Sequence, residues 1–406
     1  MSDRKHFASK WNTKFYLLIF VGLASLSAII CFICIKFSTD NIASVKKQDK
    51  SNEITQSEEL NNTDAVGLKT TKNLIKLKST SKKFDVSGKG LTVAVLGTGL
   101  RDTHKDFVGR VKTQLNFTSD NKKDIKDASD GNGNGTHLTG IIAANGGNTG
   151  IAPKANIIPI KVLDNDGNLY STEPSQKALD WIIKNRREYN ITAVYISFGG
   201  WNYTNEKGVN IPTKSIIKSQ IKKLKNNKIA VIAPAGDGFD RYYSKQGMAY
   251  PAIIPETISV GAIYDAQIGF QGYDSGAYTE KTAPEQITPF SQRLHSTKNQ
   301  KAQTDIFAPG VDIKSSGIND DDSTSIQSGT GQAAAVVTGV VLLLQEYHLR
   351  KTGYLPSIDN LTRYLRDGGV VINDGDDEID NVKNTGLNFT RIHALGALEE
   401  MDKDLR

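Results

Sequence analysis

The chain has 406 residues, enough for one large domain or two ordinary ones, and a hydrophobic share of 38% permits a sizeable core. A net charge of +6 from scattered lysines argues against a nucleic-acid partner, and the densest basic run, Ile221–Lys228, reads as a solvated helix face. Both cysteines, Cys31 and Cys34, fall inside one apolar stretch, which excludes a disulfide framework or a cysteine metal site elsewhere in the chain.

Residues 1–14 carry Arg4, Lys5, Lys10 and Lys14 and read as a short cytoplasmic tail. The uncharged run Phe15–Ile35 follows and is long enough to cross a bilayer as one helix. The next residues, "KFSTDNIAS", offer no convincing small-x-small cleavage site. The expectation is therefore an uncleaved signal-anchor, with the folded part outside the cytoplasm; secretion after signal cleavage is the alternative. Residues 36–69 are polar and aperiodic, which suits a flexible tether. The folded domain is expected over 70–406. The run "KNLIKLKS" before the first core strand is too short for a compact propeptide.

Within that domain β-branched runs alternate with helical stretches. Strands are predicted at Leu91–Gly97, Asn156–Asp164, Ile191–Gly200 and Ile229–Gly238, and helices at Gly135–Asn145, Ser171–Tyr189 and Thr213–Asn227. Ser328–Leu344 reads as a tight turn opening an Ala- and Val-rich helix. The fold class is α/β, a mostly parallel central sheet with helices on both faces, preceded by one transmembrane helix. A site is expected at the carboxyl ends of the strands. The first turn, "GTGLRD", lacks the third glycine of a dinucleotide fingerprint, because Asp102 stands there.

Several segments taken in order resemble the subtilisin-like serine proteases. They are "VAVLGTGLRDTHKDF", "DGNGNGTHLTGIIAA", "GIAPKANIIPIKVLDNDG", "ISFGG", "IAPAGDG", "YPAIIPETISVGAI", "FAPGVDIKSS" and "SGTGQAAAVVTGVVLLL". The resemblance implies a serine nucleophile, an imidazole base and an orienting carboxylate. Matched residue by residue, the Asp place is Gly97, the His place Asn134 and the Ser place Gly331. The place of the usual oxyanion-binding Asn is Asp237, and His137 matches a structural histidine rather than the base. Asn134 has no titratable nitrogen, and Asp102, Ser328 and Thr330 are expected to project elsewhere.

The resemblance therefore implies a catalytically dead homologue, a pseudoprotease. A subtilisin-like endopeptidase using non-standard residues is the alternative. Clefts of the family hold substrate as an added strand, which needs no triad. The matching walls are Ser197, Phe198, Gly199 and Gly200 on one side and Gly167, Asn168, Leu169 and Tyr170 on the other. An extended peptide or a protein partner, such as an active subtilase, would lie between them. Trp201 and Tyr203 follow the first wall, either as pocket residues or as ordinary packing aromatics. No cofactor and no metal site is expected. The Asp-Gly loops Leu163–Asn168 and Asn373–Asp380 suit calcium only weakly and read first as solvated turns.

Overall fold

Strand β1 (Thr92–Gly97) is buried along its whole length. Val93 and Val95 enter one apolar cluster while Ala94 and Leu96 enter a second. Successive side chains of a strand point to opposite faces, so an unbroken apolar run belongs to a strand covered on both sides. The same reasoning places β3 (Asn156–Lys161), β4 (Ile191–Ile196) and β6 (Ala230–Pro234) in the interior. The structure is a computed structural model that describes residues 68–208, 212–298, 302–375 and 379–406. The expected cytoplasmic tail, the membrane span and the tether as far as residue 67 lie outside the described residues. Among the described residues no helix is long and apolar enough to cross a membrane.

The main sheet also contains β2 (Leu115–Asn116), β8 (Ile258–Ile263), β11 (Ile306–Pro309), β14 (Val370–Asn373) and β15 (Asn388–Arg391). Its order is β14-β15-β11-β8-β6-β4-β1-β3-β2. Only the β14–β15 pair is antiparallel within this sheet. One face is covered by α3 (Asn134–Ala143), α6 (Thr330–Thr352), α7 (Ile358–Asp367) and α8 (Ala394–Asp404), and the other by α4 (Glu173–Asn185) and α5 (Pro212–Asn226). The α/β architecture and its mostly parallel sheet are as the sequence predicts. After β1 the chain builds β3 on one side and then crosses to build β4 on the other, so the strand order reverses at β1. Such a reversal opens a crevice at the carboxyl ends of the strands.

Two elements near that crevice depend on missing side chains. At Gly135, in the first turn of α3, a Cβ would lie 2.2 Å from the Gly99 carbonyl oxygen, and the Gly135 N–H donates to Thr98 Oγ1 at 2.8 Å. The start of α3 is thus pressed onto the turn after β1. At Gly339 a Cβ would lie 2.4 Å from Ile151 Cβ, so the buried α6 can pack closely there. Helix α6 runs past the expected Leu344 to Thr352, where Gly353 at φ 80° ends it. The "KNLIKLKS" run joins two short helices, α1 (Leu68–Leu74) and α2 (Leu77–Phe84), which bury Ile75, Leu77 and Phe84 in the core.

Candidate functional site

The carboxyl ends of β1, β4 and β6 and the amino ends of α3 and α6 enclose a cleft of about 640 Å³. Asn134, Asp237 and Gly331 all line it, and Thr98 brings the residue after Gly97 to its wall. Three of the four singled-out positions therefore meet in one cleft, and the fourth adjoins it.

Gly97 ends β1, and its carbonyl accepts the N–H groups of Val162 and Leu163. A Cβ here would lie 2.9 Å from Ser197 Oγ, a buried hydroxyl with no hydrogen-bond partner among the described residues. A buried hydroxyl without a partner is costly, so the structure lacks an acceptor beside Gly97. Asn134 opens α3 and donates through Nδ2 to Gln327 Oε1 at 3.0 Å. Gln332, in the first turn of α6, donates to the same oxygen at 3.3 Å. Gln327 ends β13 (Thr324–Gln327), the partner of β12 (Ile313–Ser316). A neutral carboxamide cluster thus surrounds Asn134, where the sequence leads one to expect the family's histidine. The Asp130 carboxylate stands in for an N-cap, accepting the N–H groups of Gly133 at 2.9 Å and Thr136 at 2.8 Å.

Gly331 is the second residue of α6, and its carbonyl accepts the buried Tyr195 hydroxyl at 2.9 Å. A Cβ at Gly331 would meet only the Tyr195 hydroxyl at 3.5 Å and Leu138 Cδ2 at 3.8 Å, both ordinary contacts. Asp237 Oδ1 accepts the Thr330 N–H at 2.7 Å. The surrounding protein pushes its carboxyl up from the usual carboxylate range. The Thr330 donor and the Arg241 charge oppose that shift, and solvent reaching Asp237 through the cleft limits it. Burial likewise pushes the Tyr195 phenol up, helped by the Asp237 charge.

Among the described residues no histidine lines the cleft. His137 is buried, with Nδ1 2.9 Å from Ser325 Oγ and Nε2 without a partner, and burial pulls it down to about 3. Asp102 faces away, its Oδ2 accepting Gln114 Nε2 at 3.3 Å. Ser328 and Thr330 border the cleft after all, contrary to expectation, but their hydroxyls are engaged. Ser328 Oγ donates to Asp312 Oδ1 at 3.2 Å, and Thr330 Oγ1 accepts the Gly236 N–H at 3.1 Å.

A model of the subtilase family matches residues 88–355. The chain belongs to the subtilase family. The match takes in every element that borders the cleft and stops short of α7, β14, β15 and α8. This subtilase is similar to the Major intracellular serine protease of Bacillus subtilis, at 29% identity over 64% of this chain and 70% of the relative. It is similar to Subtilisin-like protease 1 of Pseudogymnoascus destructans, at 31% identity over 66% of this chain and 54% of the relative. A Cuticle-degrading serine protease of Arthrobotrys oligospora is 30% identical over 63% of this chain and 51% of its own length. The chain thus spans about half the length of these two fungal proteins.

The two expected walls of the subtilase cleft differ in the structure. Ser197, Phe198, Gly199 and Gly200 all border it. Gly200 also begins β5 (Gly200–Tyr203), which pairs with β7 (Met248–Tyr250), Gly200 opposite Tyr250. Among the described residues no main-chain hydrogen bond engages Phe198 or Gly199. Of the other wall only Gly167 lines the cleft. Asn168 closes its own loop by accepting the Asp164 N–H at 3.2 Å, Leu169 packs against the inner cluster, and Tyr170 stands 83% exposed. Trp201 lines the cleft and is 69% exposed, whereas Tyr203 packs on the core.

Sequence reasoning missed Arg241, Gln292, Gln327 and Gln332. Only the glutamine after the Gly-Thr-Gly turn carried a local signal, by its place next to Gly331. In the first acidic loop, Asp164 Oδ1 accepts the loop's own N–H groups from Asp166 and Asn168, and Asn165 Oδ1 accepts Lys161 Nζ at 2.8 Å. In the second, buried Asp374 pairs with buried Arg293 at 2.9 Å; residues 376–378 lie outside the described residues.

Proposed function

We propose that this subtilase holds an extended peptide or protein segment without cleaving it. What carries the reading is the lack, among the described residues, of any imidazole lining the cleft that unites Asn134, Asp237 and Gly331. Acyl transfer by a hydroxyl needs a base within hydrogen-bond reach of it, and a carboxamide is not a base. In subtilisin, losing the nucleophile or the base alone lowers turnover about a millionfold, and the remainder comes from the oxyanion site and binding. Here Asp237 sets a carboxylate at the position matched to the oxyanion-binding side chain, so that remainder is diminished too.

The rival reading, a peptidase with displaced residues, has one contact in its favour: His137 against Ser325. That imidazole, held at about 3, is a feeble base near neutrality, and neither residue lines the cleft. The holding role draws support from the open main chain at Phe198 and Gly199, which suits strand addition. The proposal includes anchoring by residues 15–35, with the subtilase domain outside the cytoplasm.

The test incubates the full chain with a panel of unstructured peptides, reading binding by fluorescence polarisation and peptide mass before and after. Binding without a change in mass, and lost when ligand amides are N-methylated, is expected. Time-dependent hydrolysis, or binding indifferent to N-methylation, would overturn the reading.

A further inference from the structure

Loss of the nucleophile leaves the polarity of the cleft unexplained. Helix α6 begins at Thr330, where amide groups have no intrahelical acceptor and attract negative charge. The Thr330 N–H is taken by the chain's own Asp237 carboxylate at 2.7 Å. A carbonyl oxygen brought to this place meets an acceptor, whereas an N–H donor or a cation meets a complement. Gly331, next along the helix, lines the same cleft as that carboxylate and puts no side chain into it.

The rest of the lining is largely neutral, with carboxamides at Asn132, Asn134, Gln292 and Gln332. The other charged group is Arg241, which borders both the cleft and an adjoining hollow of about 390 Å³. Among the described residues it makes no ion pair, and its charge acts on Asp237 through space. Asp274 in the hollow adds a second carboxylate on that side.

We propose that Asp237 makes the cleft select peptides carrying a lysine or arginine side chain, seated in the cleft that Gly331 lines, and that Arg241 moderates the selection by like-charge repulsion. The inference rests on the peptide-holding reading and names its ligand class. A charge-assisted contact of this kind supports a preference of about tenfold.

The experiment compares two capped peptides identical except for a central lysine or its acetylated form, binding to the full-length wild type, Asp237→Asn and Arg241→Ala. The carboxamide introduced by Asp237→Asn retains an oxygen that can accept the Thr330 N–H, so the helix start is kept. Expected are a lysine preference of about tenfold in wild type, equal affinity for both peptides in Asp237→Asn, and a larger preference in Arg241→Ala. Equal binding of both peptides by wild type, or a preference that survives Asp237→Asn, overturns the inference and leaves the peptide-holding reading standing. Binding of neither peptide by wild type overturns both.

Discussion

Placing triad side chains at the positions that the resemblance matches to them tests whether the cleft is an intact frame without its chemistry. The variant combines Gly97→Asp, Asn134→His and Gly331→Ser. At Gly331 a Cβ makes only ordinary contacts, so the Cβ of a serine fits there without strain. At Gly97 the new Cβ lies 2.9 Å from Ser197 Oγ, which must yield by a few tenths of an ångström. Overpacking of that kind costs about 1–3 kcal/mol, and a new hydrogen bond from the unpartnered Ser197 hydroxyl offsets about 1 kcal/mol. Losing the Asn134–Gln327 bond costs about 1 kcal/mol. The net destabilisation is thus about 1–3 kcal/mol, or a fall in Tm of several degrees. With Asp237 still in place the restored serine lacks one oxyanion donor, which holds its rate about 10²–10³-fold below a complete site. The assay is the rate of fluorophosphonate labelling by intact mass. Slow labelling of the serine introduced by Gly331→Ser is expected, accelerated about a hundredfold by adding Asp237→Asn. A fourfold variant that folds, by circular dichroism and Tm, yet labels no faster than wild type would refute the alignment of these positions.

Two buried groups give opposite pH dependences. Burial raises Asp265, which accepts Thr71 Oγ1–H at 2.6 Å, to about 6. Its contribution is therefore complete below about pH 4 and lost as pH rises through 6, a swing of at most about 3 kcal/mol. Urea unfolding should show Asp265→Asn gaining on wild type between pH 4 and 7.5; a constant difference would contradict this. His137, held down to about 3 by burial, contributes fully above about pH 6.5 and loses that contribution as pH falls toward 3, by up to about 5 kcal/mol. His137→Gln should accordingly lose less stability than wild type on acidification, and a parallel loss would argue against a buried neutral imidazole. Gly135→Ala drives a Cβ to 2.2 Å from a backbone oxygen and should cost about 3 kcal/mol or more, whereas Gly331→Ala should be neutral or slightly stabilising. Similar melting temperatures for the two would count against the packing described for α3.

The interior strands were legible because burial on both faces demands continuous apolar runs, and "TVAVLG" and "AVIAP" can satisfy little else. Their ends were less so. The expected strand to Gly200 stops at Ile196, since Ser197–Gly199 turn along the cleft before β5 begins. The C-terminal region went unread, although Ser357 offered a cap signal: its side chain accepts the Asn360 N–H at 3.1 Å at the start of α7. Helices α1 and α2 were missed because each is too short for its periodicity to stand out. In the site, Gly97, Asn134, Asp237 and Gly331 could be named from flanking motifs, but Gln327 could not. It meets Asn134 only because β13 folds back beside α3, a contact between residues 193 apart in sequence. On the far side Asp164 gathers its loop around its own carboxylate, and of the four expected residues Gly167 reaches the cleft lining.

The most direct measurement is fluorophosphonate labelling of the unaltered full-length protein, followed by peptide mapping. The proposed reading, a cleft that holds peptides without cleaving them, predicts no serine adduct under conditions that saturate an active subtilase. An adduct on any cleft serine, abolished by exchanging that serine for alanine, would contradict it.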